Sequence, residues 1–296
     1  MADFFRFENR TIIDATLVMQ TALSVGSRAS LLPAGSDLPV MKTPQGVPYI
    51  PGSSLKGVVR SYIEQLLRTM DALGRRHQGQ RLWACDPLDE QNRCVTATCG
   101  PSCQRCEDCR GNCCTICSRC KRCITNRSTM NGRINDQTLA NELWNQSCTA
   151  CRFFGSPWLA SRVAFQDAML TNSDGLLRLI EVRDGVGIDR DLGAAKTGIK
   201  YDFETVPAGA RFGIRIVIEN AAEWEIGLLL LALEAMKKSE LAIGGKTTRG
   251  LGWGTLEEMK IQRIEAADLL HWLTGLQQPS ELEAQHLIRQ FTSSLQ

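Results

Sequence analysis

Between Ile13 and Leu23, apolar or small residues return at every second position (Ile13, Ala15, Leu17, Met19, Leu23). That is the period of a strand with one buried face. A loop rich in Gly and Pro follows. Then Leu55, Val58, Val59, Tyr62, Ile63, Leu66, Leu67 and Met70 recur three and four apart, which predicts an amphipathic helix capped by Ser53 or Ser54. Arg162 to Leu170 reads as a second strand and the alternation Phe212, Ile214, Ile216, Ile218 as a third. Ala221 to Lys238 is a strongly apolar helix, and Trp253 to Ile261 a last strand. From Ala266 onward the chain looks helical, with Leu269, Leu270 and Leu273 as the apolar face.

The order strand, helix, strand, strand, helix, strand predicts an α+β fold. It is the ferredoxin-like split βαβ arrangement that also underlies the RNA-recognition motif. Two excursions interrupt it. Hydrophobic periodicity fades between Gly74 and Gln146, and Arg183 to Pro207 is polar, glycine-containing and basic, a long loop or protruding hairpin. The expected organisation is a core made of residues 1–73 and 152–264, a cysteine-rich insertion over 74–151 and a helical extension over 265–296.

With 296 residues and a 43% hydrophobic fraction, the chain can bury one substantial core. Its net charge of +2 identifies no partner, because a polyanion responds to local patches. The longest apolar stretch, Ile226 to Leu233, is too short to cross a bilayer, and no basic start precedes a long apolar run. The chain is therefore expected to be cytoplasmic with no membrane partner. In that compartment thirteen cysteines point to metal ligation rather than disulfides.

Eleven of them, Cys85, Cys94, Cys99, Cys103, Cys106, Cys109, Cys113, Cys114, Cys117, Cys120 and Cys123, fall in the stretch without periodicity, and Cys148 and Cys151 follow. Two cysteines separated by two residues place both sulfurs on one side of a tight turn, as a tetrahedral ion needs. The spacing predicts two to three structural Zn²⁺ sites without saying which thiolates share an ion. Three-cysteine runs also surround [4Fe–4S] clusters, so a redox centre competes with zinc. The basic excess among these cysteines either offsets thiolate charge or meets nucleic acid. His77, the one histidine in this half of the chain, reads as a surface residue.

Two stretches can hold phosphates. Pro48 to Gly57 runs straight into the first helix, where main-chain N–H groups, Ser53, Ser54 and Lys56 suit an anion. Gly244 to Gly254 is open main chain carrying Lys246 and Arg249; it lacks the Walker spacing, so nucleotide hydrolysis is not indicated. Both are expected to converge on one face to grip a ribose-phosphate strand.

The segment PYIPGSSLKGVVR, Pro48 to Arg60, resembles the signature that follows the first strand in backbone subunits of type III CRISPR effector complexes, in the RAMP superfamily. Gly244 to Gly254 resembles that superfamily's C-terminal glycine-rich loop. Cys148-Thr-Ala-Cys151-Arg-Phe-Phe-Gly155 resembles its zinc-finger cysteines and following Phe-Gly. The resemblance implies a subunit that binds guide CRISPR RNA, meets target RNA and stacks with other subunits. It implies RNA contacts at Gly52, Ser53, Ser54, Lys56, Arg60, Gly245, Lys246, Thr247 and Arg249. Residues 183–211 look like the family's thumb, which would place Arg183, Arg190 and Lys196 between guide and target. Cleavage-active members carry an aspartate upstream of the signature; Asp37 matches, although Ser36 stands where a small apolar residue is usual. The implied chemistry is endoribonucleolytic cleavage of target RNA by the 2′-hydroxyl, with a divalent cation such as Mg²⁺. Three other readings remain: a non-catalytic subunit of the same assembly, an iron–sulfur protein, and an RNase using His77, His271 or His286, which all lie outside these motifs.

Overall fold

The computed structural model describes residues 6–26, 36–89, 92–95 and 136–296. In chain order the elements are β1 (Asn9–Met19), β2 (Tyr49–Ile50), α1 (Gly52–Ala72), β3 (Arg76–His77), β4 (Gln80–Arg81), α2 (Asp136–Gln146), α3 (Thr149–Phe154), β5 (Val163–Phe165) and β6 (Ala168–Leu170). They continue with β7 (Glu181–Ile188), β8 (Ala195–Thr205), β9 (Arg211–Glu219), α4 (Glu223–Lys237), β10 (Gly254–Glu265), α5 (Leu269–Leu273), β11 (Ser280–Glu281) and α6 (Ala284–Ser293).

The central sheet runs β11-β10-β1-β9-β6-β2, with β5 also on β9, and its pairings are antiparallel. The inward positions of β1 and β9 (Ile13, Leu17, Met19; Phe212, Ile214, Ile216, Ile218) meet Leu55, Val59, Ile63 and Leu67 of α1. Ile226, Leu229, Leu230 and Leu233 of α4 complete this layer. Each such side chain contributes about 1.5–3 kcal/mol on burial. Asp14, Thr16, Met169, Arg215 and Lys260 line a groove on the sheet without an aromatic residue, so the stacking platform of an RNA-recognition sheet is missing there.

Four expectations change. The second strand is two short ones, β5 and β6, because the chain turns aside at Gln166 and Asp167. That turn sends the Asp167 carboxylate to α1, where Oδ1 accepts from the Gly52 N–H at 2.7 Å. The helix therefore starts at Gly52 with Pro51 as its N-cap and no serine cap. A Cβ on Gly52 would collide with the Phe165 carbonyl oxygen, so only glycine lets α1 begin this close to β5. Beyond the core, the apolar face expected after Ala266 does not pack as a unit: Leu270 and Leu273 are exposed, while Leu287 and Phe291 of α6 enter the main core. His77 is buried rather than superficial. It stacks on Trp224 (centroids 4.7 Å apart) and Phe291 (6.1 Å), beside main-chain bonds exchanged by Arg76 and Gln296.

The polar excursion is a hairpin. β7 and β8 form a separate two-stranded sheet, from Glu181 paired with Thr205 to Ile188 paired with Ala195. Its Val182, Val186, Ile188, Leu192 and Ile199 are exposed.

Candidate nucleic-acid interface and metal centre

At one end of the sheet β1 finishes, β9 and β10 begin, and Met19 and Val18 pair with Gly254 and Arg211. The glycine-rich loop closes over this end. Gly245 N–H and Gly252 N–H donate to the carbonyls of Ser24 and Ala22 (2.8 and 2.9 Å). A Cβ at Gly252 would strike the Ile243 carbonyl oxygen, and its φ of +82° is a left-handed conformation. Lys246 Nζ lies 4.3 Å from the centre of the Phe203 ring, and an Arg249 N–H donates to Tyr201 Oη at 2.7 Å. The aromatics of β8 thus set both cations of the loop. Arg249 and Gly245 are exposed, Lys246 and Thr247 partly so.

The Asp37 loop reaches the same hairpin. Asp37 N–H and Ser36 Oγ–H donate to Asp202 Oδ1 (2.6 and 3.1 Å), and Asp202 N–H donates to Asp37 Oδ2 (3.1 Å). One step along, Glu204 N–H donates to the Leu38 carbonyl at 3.0 Å, and the Glu204 carboxylate accepts from Val40 N–H and Lys42 Nζ. Asp37 is exposed, beside a second carboxylate and facing the hairpin that carries the loop cations. Arg183, Arg190 and Lys196 stand exposed on the same hairpin.

The α1 signature is placed differently. Lys56 Nζ donates to Ser161 Oγ (2.7 Å) and the Val163 carbonyl (3.2 Å); burial and then the Arg60 charge lower its pKa. Arg60 donates to Glu64 (2.7 Å), the Gly155 carbonyl (3.1 Å) and Cys151 Sγ (3.8 Å). Ser53 is exposed and Ser54 half-buried, while the Gly52 N–H serves Asp167. The contacts that gather the glycine-rich loop, the Asp37 loop and the hairpin do not include Lys56 or Arg60.

The third feature is a cluster of four thiols that could hold a metal ion. Cys85, Cys94, Cys148 and Cys151 are buried with their sulfurs within 4.8 Å of one another, and all four are unbridged. Cys85 Sγ lies 3.7 Å from Cys151 Sγ. Bonds of 2.3 Å to a tetrahedral ion give edges of about 3.8 Å, so the cluster is already near the size that such an ion needs. Cys148 caps α3, accepting from Cys151 N–H at 3.4 Å. Hydrogen bonds from Cys148 and Cys151 draw the Cys85 thiol down to about 7 and Cys94 lower still. Bonds with Cys148, Cys85 and Cys94 push Cys151 up. Four thiols sharing protons in this way form a donor set that a soft cation can take over, and the Arg60 guanidinium beside Cys151 offsets thiolate charge. The other nine cysteines predicted as ligands, Cys99, Cys103, Cys106, Cys109, Cys113, Cys114, Cys117, Cys120 and Cys123, lie outside the described residues.

Sequence reasoning missed Asp167, Asp202, Glu204, Tyr201 and Phe203. The alternation of aromatic and acidic residues from Tyr201 to Glu204 was the available signal, hidden by the polar setting of the hairpin. No helix among the described residues is long and apolar enough to cross a membrane.

Over 260 residues, 87% of each chain, the sequence is 25% identical to the CRISPR system Cms endoribonuclease Csm3 of Methanothermobacter thermautotrophicus. Residues 16–257, which run from β1 through the glycine-rich loop into β10, match the RAMP superfamily model. The chain belongs to the RAMP superfamily.

Proposed function

We propose that this chain is a guide-RNA-binding backbone subunit of a type III CRISPR interference complex and that it cleaves bound target RNA. The observation that carries the reading is the meeting of the Asp37 loop, the glycine-rich loop and the β7–β8 hairpin at one end of the sheet. Kinship with an endoribonuclease of such a system supports it. On this reading the core is ferredoxin-like, which the strand order β10-β1-β9-β5/β6 supports. The hairpin is a thumb, and residues 74–151 are an insertion tied into the core by a zinc ion on Cys85, Cys94, Cys148 and Cys151. The protein works in the cytoplasm.

Gly245, Lys246, Thr247 and Arg249 hold guide phosphates, and the α1 signature with Gly52, Ser53, Ser54, Lys56 and Arg60 adds a second contact region. Arg183, Arg190 and Lys196 on the thumb lie between guide and target. Open main chain and cations fix the register of the backbone without reading bases. The thumb splays one target nucleotide so that its 2′-hydroxyl lines up with the adjacent phosphorus, which lowers the barrier through orientation. Asp37 and Asp202 would hold a divalent cation such as Mg²⁺ through carboxylate oxygens, the ligands it prefers, and the chemistry it would supply is stabilisation of negative charge in the transition state.

A second reading keeps the RNA and removes the chemistry. The Asp37 carboxylate also ties its loop to the Asp202 N–H, a structural task. Asp37→Asn separates the two, because the amide oxygen can still accept that bond while losing the charge. In a reconstituted complex with labelled target, loss of one cleavage position with guide and target affinity unchanged is expected. Persistence of every cut overturns the catalytic assignment.

A further inference from the structure

The β8 strand makes two sets of contacts, one from each face. Successive side chains of a strand point to opposite faces, and from Tyr201 to Glu204 the residues alternate aromatic and acidic. Tyr201 and Phe203 turn to the glycine-rich loop, where Tyr201 Oη accepts from Arg249 at 2.7 Å and the Phe203 ring centre lies 4.3 Å from Lys246 Nζ. Asp202 and Glu204 turn to the Asp37 loop. The Asp202 carboxylate accepts from Asp37 N–H, and the Glu204 carboxylate from Val40 N–H and Lys42 Nζ (3.0 and 2.9 Å). A stretch of roughly 10 Å along one strand thus holds both loops.

Packing seats the aromatic face. Phe203 is buried with Ala22 and Leu251, and Tyr201 packs against this cluster. Tyr201 pairs across the hairpin with Gly185 of β7, and a Cβ at Gly185 would lie 2.3 Å from Tyr201 Cζ. Glycine at this position lets the ring lie across β7 within reach of Arg249. The acidic face is held by charge and hydrogen bonds. Glu204 is largely buried and ion-paired to Lys42, and its main-chain N–H donates to the Leu38 carbonyl at 3.0 Å. It grips the stretch that follows Asp37 without belonging to the Asp37–Asp202 pair itself.

We infer that Tyr201 and Glu204 are positioning residues for RNA cleavage: Tyr201 fixes the Arg249 guanidinium for a guide phosphate, and Glu204 fixes the loop that presents Asp37. Each acts through another residue, and neither touches the reacting atoms. Because one strand segment carries both, the grip on the guide and the place of the scissile bond are set by the same piece of backbone, and orientation of this kind governs the barrier. The inference rests on the guide-binding and cleavage reading and adds the residues that tie the two together.

The test uses the reassembled complex with radiolabelled guide RNA and a complementary target RNA. Tyr201→Phe removes only the hydroxyl and Gly185→Ala displaces the ring, and each is expected to weaken guide binding about tenfold. Glu204→Gln keeps the shape of the side chain but loses the Lys42 ion pair. It is expected to slow cleavage at saturating target about tenfold while guide affinity stays at the wild-type value. A strand with a merely structural role would move both quantities together in every variant. The inference is overturned if Tyr201→Phe and Glu204→Gln change both quantities in the same proportion, if Tyr201→Phe binds guide like the wild type, or if Glu204→Gln cuts at the wild-type rate. Wild-type binding and cleavage in the same preparation test the proposed function separately, so a wild type that binds and cuts beside variants that match it removes this inference alone.

Discussion

Replacing Cys148 and Cys151 by serine should remove one metal ion from the protein and much of its thermal resistance. The magnitude follows from the geometry. The four sulfurs already lie within 4.8 Å of one another and Cys85 Sγ is 3.7 Å from Cys151 Sγ, near the tetrahedral edge of about 3.8 Å. Little rearrangement therefore opposes binding. The thiols belong to the main hydrophobic core, with Phe153, Phe154 and Leu82, so the ion would clamp the core itself. An ion present at about 1,000 times its dissociation constant stabilises the folded state by about 4 kcal/mol. For a chain of this size each kcal/mol moves the melting temperature by about 2–4 °C, or about 8–16 °C in all. The assay is zinc content by mass spectrometry paired with thermal unfolding, with and without a chelator. The double variant should hold one ion fewer than the wild type, and its melting should respond less to the chelator. Equal zinc content in both proteins, or unchanged wild-type melting after the metal is stripped, would refute the reasoning.

Two further outcomes follow from the buried polar groups. Arg162→Ala strands Glu225 in the core and should cost about 3–5 kcal/mol in urea unfolding, more than the paired change Arg162→Met with Glu225→Leu; a costlier double variant would contradict this. Burial lowers the His77 pKa, against a smaller opposing pull from Glu225, so the unfolded chain takes up its proton first as pH falls. The stability contributed by neutral His77 is whole above about pH 6.5 and is lost below it. The drop in urea midpoint from pH 7.5 to 5.5 should shrink in His77→Phe, and an undiminished drop would contradict the assignment.

The elements governed by local periodicity were legible. The alternation through Ile13, Leu17 and Met19, and through Phe212 to Ile218, marked the two central strands, and the stripe from Leu55 to Met70 marked α1. What escaped depends on distant partners. Nothing near Gly52 announces that a carboxylate 115 positions away caps its helix. β10 continues past Ile261 to Glu265 because β1 pairs with it through Asn9, with β11 added at Gln262 and Arg263, contacts invisible in its own sequence. The spacing of Cys148 and Cys151 marked a candidate ligand pair, but Cys85 and Cys94 were two candidates among many until the fold brought their sulfurs beside that pair. Asp37 was singled out as a candidate through the family resemblance, whereas Asp202, which exchanges hydrogen bonds with it, was hidden in a stretch read only as polar.

The most direct test of the central claim is to purify the complex containing this chain and sequence the RNA that comes with it. Guide-length RNAs with a uniform, repeat-derived 5′ end are the expected result, reduced when Lys246 and Arg249 are both replaced by alanine. RNA of random sequence and ends, or none at all, would contradict the account.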